Sequence, residues 1–220
     1  MAVKNGTYRG RSAEERRAER RARLLDAGLE VWSNDPSVTM TKICVHAGLS
    51  ERYFYEHFAN LDDALMAVID SVAIEIAVAA TTALETTGGT ADERIRAALM
   101  AFAQVLIDDP RKGRVAMIES YAVASTRHRR SQLIQQFVTL VEHESQAILV
   151  RPDPPEAETR IAATAFVGGL SQLVTDWLGG ELDIEPDALV DTAVVLWRAM
   201  MGTVDKQEAE PPASDECCYG

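Results

Sequence analysis

The strongest constraint on folding lies between Thr39 and Phe58, where two helical stretches meet at Gly48. Thr39 is placed to cap a short helix running to Ala47, and Gly48 suits the left-handed conformation just past its end. Ser50 is then placed to cap a second short helix, near Glu51 to Phe58. Helices this short are marginal in water and bury little area by themselves. Ile43, Ala47, Leu49, Phe54 and Phe58 therefore need a floor supplied by the segments before and after.

Both flanks read as helices. Ala18, Ala22, Leu25, Leu29 and Trp32 recur at steps of three and four, and Asn34-Asp35-Pro36-Ser37 ends that stretch. Asn60 begins a long helix striped by Leu61, Leu65, Val68, Val72, Ile76, Ala79 and Ala83. Thr86-Thr87-Gly88-Gly89 breaks it, and Thr90 with Glu93 forms a capping box for a helix carrying Ile95, Leu99, Phe102 and Leu106. Asp109-Pro110 restarts the chain as a helix with Arg114, Ile118 and Tyr121 on one side. Three more helices are expected at about 127–150, 156–178 and 186–201, separated by Arg151-Pro152-Asp153-Pro154-Pro155 and by Gly179-Gly180. No segment alternates as a strand would. The expected fold is all-α with about nine helices: a flexible basic arm at 1–12, a three-helix unit at 13–60, a helical domain at 61–204 and a disordered acidic tail at 205–220.

A short helix, a glycine-containing turn and a second short helix on a helical floor describe a helix-turn-helix, whose second helix enters the DNA major groove. The net charge of −12 argues against a polyanion partner until its distribution is considered. Residues 1–23 hold eight basic side chains against three acidic ones, whereas residues 61–220 hold twelve against twenty-six. A phosphate surface attracts the first segment and repels the second. Ser50 and the first amides of its helix suit a backbone phosphate. Arg52 and Tyr53 lie where base edges would be reached, and an arginine there pairs bidentately with guanine. Tyr53 and His57 are four apart on one face with Tyr55 flanking it, and Thr41 and Lys42 project from the preceding helix.

These residues resemble the DNA-binding domain of TetR-family transcriptional regulators, in which a T-x-x-x-I-A…A-G-(V/L)-S…L-Y-x-H-F pattern precedes a long connecting helix. The likeness spans about residues 15–70 and includes Leu49-Ser50 and Phe54-Tyr55-Glu56-His57-Phe58. It implies phosphate contacts for Thr39, Ser50, Tyr55 and His57, and base reading around Thr41, Lys42, Arg52 and Tyr53. The chain departs from the pattern at Cys44, where alanine is usual, at Glu51, often basic, at Arg52, commonly glycine, and at Leu61, often lysine. Fewer phosphate contacts and a greater share for Arg52 and the arm are implied.

Two tasks are expected of residues 61–204. Helices 156–178 and 186–201 are apolar around much of their circumference, so they must be buried in the core or against another chain. The resemblance favours a two-fold dimer through Phe166, Gly169, Leu170, Leu173, Trp177, Leu189, Ala193, Leu196, Trp197 and Met200. Residues 61–150 mix apolar with isolated polar side chains, a composition that permits a ligand pocket. Phe102, Gln104, Arg114, Met117, Glu119, Tyr121, Phe137 and His143 are the candidate lining residues.

The resemblance implies a regulator, in most relatives a repressor, that binds palindromic operator DNA as a homodimer and is released by a small-molecule effector. An all-α carrier of apolar molecules that never touches DNA is the alternative; it would need no basic arm and no Tyr53, Tyr55 and His57 surface. No G-x-S-x-G, phosphate-binding glycine loop or H-E-x-x-H occurs, so neither an enzyme, a metal site nor a cofactor is expected. Cys44, Cys217 and Cys218 make no disulfide framework. No apolar run is expected to reach the roughly 20 residues of a membrane span, and an Arg-rich start without a hydrophobic stretch is not a signal peptide. A cytoplasmic protein without a membrane partner is expected.

Overall fold

A computed structural model describes residues 12–35, 37–120, 123–148 and 156–201. Arm residues 1–11, Tyr121, the tail from 205 and Cys217-Cys218 lie outside the described residues. Among the described residues the structure is all α: α1 (Ala13–Asn34), α2 (Met40–Ala47), α3 (Glu51–Tyr55), α4 (Leu61–Thr86), α5 (Ala91–Asp108), α6 (Pro110–Gly113), α7 (Arg127–Ile148), α8 (Glu156–Gly179) and α9 (Pro186–Met201).

Capping fixes most boundaries. Thr39, Asn60 and Thr90 accept bonds from the amides of Lys42, Asp63 and Glu93, and Thr90 with Glu93 completes its capping box. Ser12 and Glu15 form a second capping box at the start of α1. Gly48 ends α2 at φ 60°, where any other residue would be strained. One expectation is corrected here: α3 stops at Tyr55, three residues early, and Ser50 makes no side-chain capping bond.

Two more corrections concern helix character. The segment after Pro110 does not continue as a regular α-helix, because Arg114–Glu119 is a π-helix, a widened turn that often accompanies functional sites. The expected α1 stripe holds only in its second half. Leu29 and Trp32 are buried, with Leu24, Ala27, Gly28 and Val31 beside them, whereas Ala18 and Ala22 are exposed. In the first half of α1 the inward face is formed by arginine stems, which cover apolar surface while their heads stay wet.

One buried cluster runs from Leu24, Ile43, Phe54 and Phe58 through Ala64, Leu65 and Val68 to Val72, Ile76, Leu106 and Val115. The floor required by the two short helices is thus the beginning of α4 together with α1. A Cβ added at Gly28 would lie 3.0 Å from both Trp32 and Val68, so this glycine sets how closely α1 approaches α4. A second cluster joins Leu84, Ile95, Val138, Phe166, Ala193 and Trp197 at the far end.

The expectation about apolar length is also corrected. Leu61–Thr86 and Glu156–Gly179 are both long and apolar enough to cross a bilayer. Here each contributes part of its length to the buried clusters.

Candidate functional site

The α2–turn–α3 pair is held on α1 by cations. Arg23 Nη2 donates to the Ala47 carbonyl at 2.5 Å and to Gly48 O at 3.3 Å, closing the C-terminal end of α2. Arg17 donates to the Glu56 carbonyl past α3, and Arg20 lies 3.8 Å from the Glu56 carboxylate. The Arg20 guanidinium stands 4.6 Å above the Tyr53 ring and that of Arg21 5.2 Å from Phe58. Positive charge at helix C-termini and over aromatic faces is favourable. Part of the basic segment is therefore structural, which its composition did not reveal.

Five of the eight residues assigned to DNA stand exposed: Thr39, Thr41, Ser50, Arg52 and Tyr55. Tyr55 is 60% exposed and the Arg52 side chain 86%, with only Glu56 alongside it at 3.5 Å. Thr41 Oγ1 donates to Glu51 at 3.0 Å, tying the first turn of α2 to that of α3. Three are more confined than expected. Lys42 Nζ donates to Asp35 at 2.6 Å and to Ser37 O at 2.8 Å, which holds the Asp35 carboxyl below its ordinary pKa. Tyr53 is half-buried beneath Arg20, and His57 is half-buried with Nε2 enclosed and unpartnered. Burial, with Arg17, Arg20 and Arg21 nearby, holds the His57 imidazole below its usual pKa, so it is neutral near pH 7.

A cavity of about 460 Å³ lies between α4, α5, α7, α8 and the π-helix. Its walls are overwhelmingly apolar: Ile69, Val72, Ile76, Ala80 and Leu84 from α4, Ile95, Leu99 and Phe102 from α5, and Ile134, Phe137 and Val141 from α7. Arg127, Arg130, Ser131, Glu144, Ser145 and Ser171 supply its few polar groups. A mostly apolar pocket of several hundred Å³ with sparse polar groups is the usual form of a small-molecule site.

Of the proposed lining residues, Phe102, Met117 and Phe137 reach this cavity. Gln104, Arg114, Glu119 and His143 do not. Gln104 bonds Asp108 on the outside of α5, Arg114 pairs with Glu119, and the His143 side chain is 78% exposed beside Glu144. Isolated polar residues marked the outer faces, and the wall came from the continuous apolar stripes of α4 and α7. Arg127 and Arg130 line the cavity although they were not among the candidate lining residues; the α7 stripe through Arg130, Ile134, Phe137 and Val141 was the available signal.

The α8–α9 face is divided. Phe166, Leu189, Ala193 and Trp197 are buried within the chain's own core, which corrects their assignment to a partner surface. Leu170, Leu173, Trp177 and Leu196 are half-buried; Trp177 donates to Ile184 O at 3.2 Å. Gly169 and Met200 are exposed, as are Ile161 at 69% and Val195 at 65%. A Cβ at Gly168 or Gly169 would meet nothing within 4 Å. Among the described residues no group of three His, Cys, Asp or Glu could hold a metal ion.

No family model and no curated protein matches the chain. Solved structures do. A TetR-like transcriptional regulator from Rhodococcus sp. RHA1 superposes at TM-score 0.61 with 22% identity, covering 84% of this chain and 97% of that one. The transcriptional regulator FadR from Bacillus subtilis, solved in complex with stearoyl-CoA, gives TM-score 0.67 at 16% identity over 84% and 99%. A TetR family transcription regulator from Marinobacter aquaeolei VT8 gives 0.58 at 17% over 83% and 97%. The chain has the fold of TetR-type transcriptional regulators, N-terminal helix-turn-helix and C-terminal helical domain included.

Proposed function

We propose that the chain is a ligand-responsive transcriptional regulator, a homodimer that binds palindromic operator DNA through α3 and releases it when a small molecule fills the cavity. One observation carries this reading. The helix α4 serves both sites: Ala64, Leu65 and Val68 floor the helix-turn-helix, and Ile69, Val72 and Ile76 wall the cavity. A ligand that repositions the middle of α4 must also shift the floor beneath α3.

Arg52 and Tyr55 project from α3 toward base edges and phosphate, with Thr39, Thr41 and Ser50 around them. Lys42, Tyr53 and His57 act from half-buried positions, and a phosphate draws Lys42 from Asp35 only at the cost of that ion pair. The exposed face of Ile161, Gly168, Gly169, Val195 and Met200 supports an isologous α8–α9 contact, with Leu170, Leu173, Trp177 and Leu196 at its base. Two recognition helices related by that axis would read half-sites about 34–36 Å apart. The stearoyl-CoA complex of the Bacillus subtilis neighbour supports an effector with a long acyl chain here; a cytoplasmic location and repression as the default output complete the proposal.

The test is selection of duplexes from a random pool at low salt, followed by titration of the selected operator. An inverted repeat bound by a dimer is expected. A protein indifferent to every duplex, yet binding apolar molecules, is instead the all-α carrier. By linkage, effector and operator weaken each other by the same factor.

A further inference from the structure

The cavity has chemically different ends. Along α7 its wall begins at Arg127, Arg130 and Ser131, continues as Ile134, Phe137 and Val141, and finishes at Glu144. Between Ser131 and Glu144 the helix rises roughly 20 Å, at about 1.5 Å per residue. The first end is cationic. Arg127 is exposed, its guanidinium makes no hydrogen bond or ion pair with any other described residue, and no carboxylate lines the wall beside it. The second end is already satisfied: Glu144 faces His143 Nδ1 at 3.2 Å, and Ser145 accepts from Trp197 Nε1 at 3.3 Å.

An exposed guanidinium at one end of an apolar chamber, with a second, half-buried arginine three residues on along the same wall, favours an anion there. We infer that the effector is an amphiphile with one long apolar tail and an anionic head group, the tail lying along α7 and the head held by Arg127 and Arg130. This deepens the reading of the cavity as the effector site and rests on it. The head lies at the end nearer the helix-turn-helix, because Arg129 donates to Asp70 at 2.6 Å and so fixes the start of α7 beside the first half of α4. Binding of an anion next to that tie reaches α4 directly.

Calorimetric titration of the purified full chain with hexadecanoic acid, hexadecyl phosphate and hexadecanol tests the inference. At least one charged amphiphile is expected to bind about ten-fold or more tightly than the alcohol, with a preference that falls as salt rises. The carboxylate and phosphate arms identify which head group fits. Replacing both arginines, Arg127→Gln with Arg130→Gln, is expected to abolish the preference, so that neither charged amphiphile binds more tightly than hexadecanol. Equal binding of alcohol and both anions by the unaltered chain overturns the head-group inference and leaves the cavity a binding site. Binding of none of the three overturns the cavity reading and this inference with it.

Discussion

Arg23 donates from its guanidinium to the carbonyl oxygen of Ala47, the last residue of α2, at 2.5 Å. The contact joins α1 to the end of the first short helix, twenty-four residues on. Removing it leaves a helix-end carbonyl without its charged donor, a loss of about 1–3 kcal/mol for a charge-assisted bond. Arg23→Ala is therefore expected to lower the denaturant midpoint and to weaken binding to all duplexes equally. A change in base preference without a change in stability would show that Arg23 reads DNA instead.

Arg52 should behave in the opposite way. Its side chain projects into solvent from α3 and pairs with Glu56 at 3.5 Å. Arg52→Ala is expected to leave thermal stability unchanged, cost about 1–3 kcal/mol of operator affinity and relax the preference at one base position. Selection from a randomised duplex pool would reveal it.

His57 gives the helix-turn-helix a pH dependence. Its folded pKa lies below the ordinary value, through burial and three neighbouring arginines, so the unfolded chain binds a proton more readily. Its contribution to stability is full above the unfolded pKa of about 6.5 and is lost as pH falls from there toward the lowered folded value. The melting temperature should drop as pH falls below about 6.5, and His57→Gln should flatten part of that drop. Identical slopes in the two proteins would show that other groups account for it.

Ala80 lines the cavity from α4. Ala80→Phe is expected to occupy part of that volume without forcing the core apart, so operator binding persists and the effector no longer releases it. Gel retardation with and without effector separates these two responses. Normal release would mean the effector binds elsewhere.

At Gly169 the protomer has room, since an added Cβ meets no neighbour within 4 Å. Gly169→Arg should leave the monomer folded, set two charges against each other across the two-fold axis and yield monomers in sedimentation equilibrium. Operator affinity should fall by orders of magnitude because each half-site is then bound alone. A dimer that survives the change uses another surface.

Punctuation and period carried most of the fold into the sequence. Thr39, Gly48, Asn60, Thr90 and Pro110 act within a few residues of themselves, so their effects are local and readable. The stripes of α4 and α5 were readable for the same reason, since one face of each meets the core. The end of α3 was not, because it depends on how Phe54 and Phe58 pack, their rings 5.3 Å apart, and on Arg17 at Glu56. The π-helix at Arg114–Glu119 left no local signal at all.

The order of the helices, their caps and the identity of the recognition pair were thus set by neighbouring residues along the chain. Tertiary structure alone decided which charges are free and which are spent: Arg23 and Lys42 satisfy their own backbone, Arg52 does not, and Arg127 opens onto a cavity. Trp197, apolar on paper like Val195, turned inward while Val195 stayed outside. Such choices depend on distances between segments far apart in sequence. Helical period states that a helix has an apolar side, but only packing establishes which of two apolar sides meets the rest of the chain.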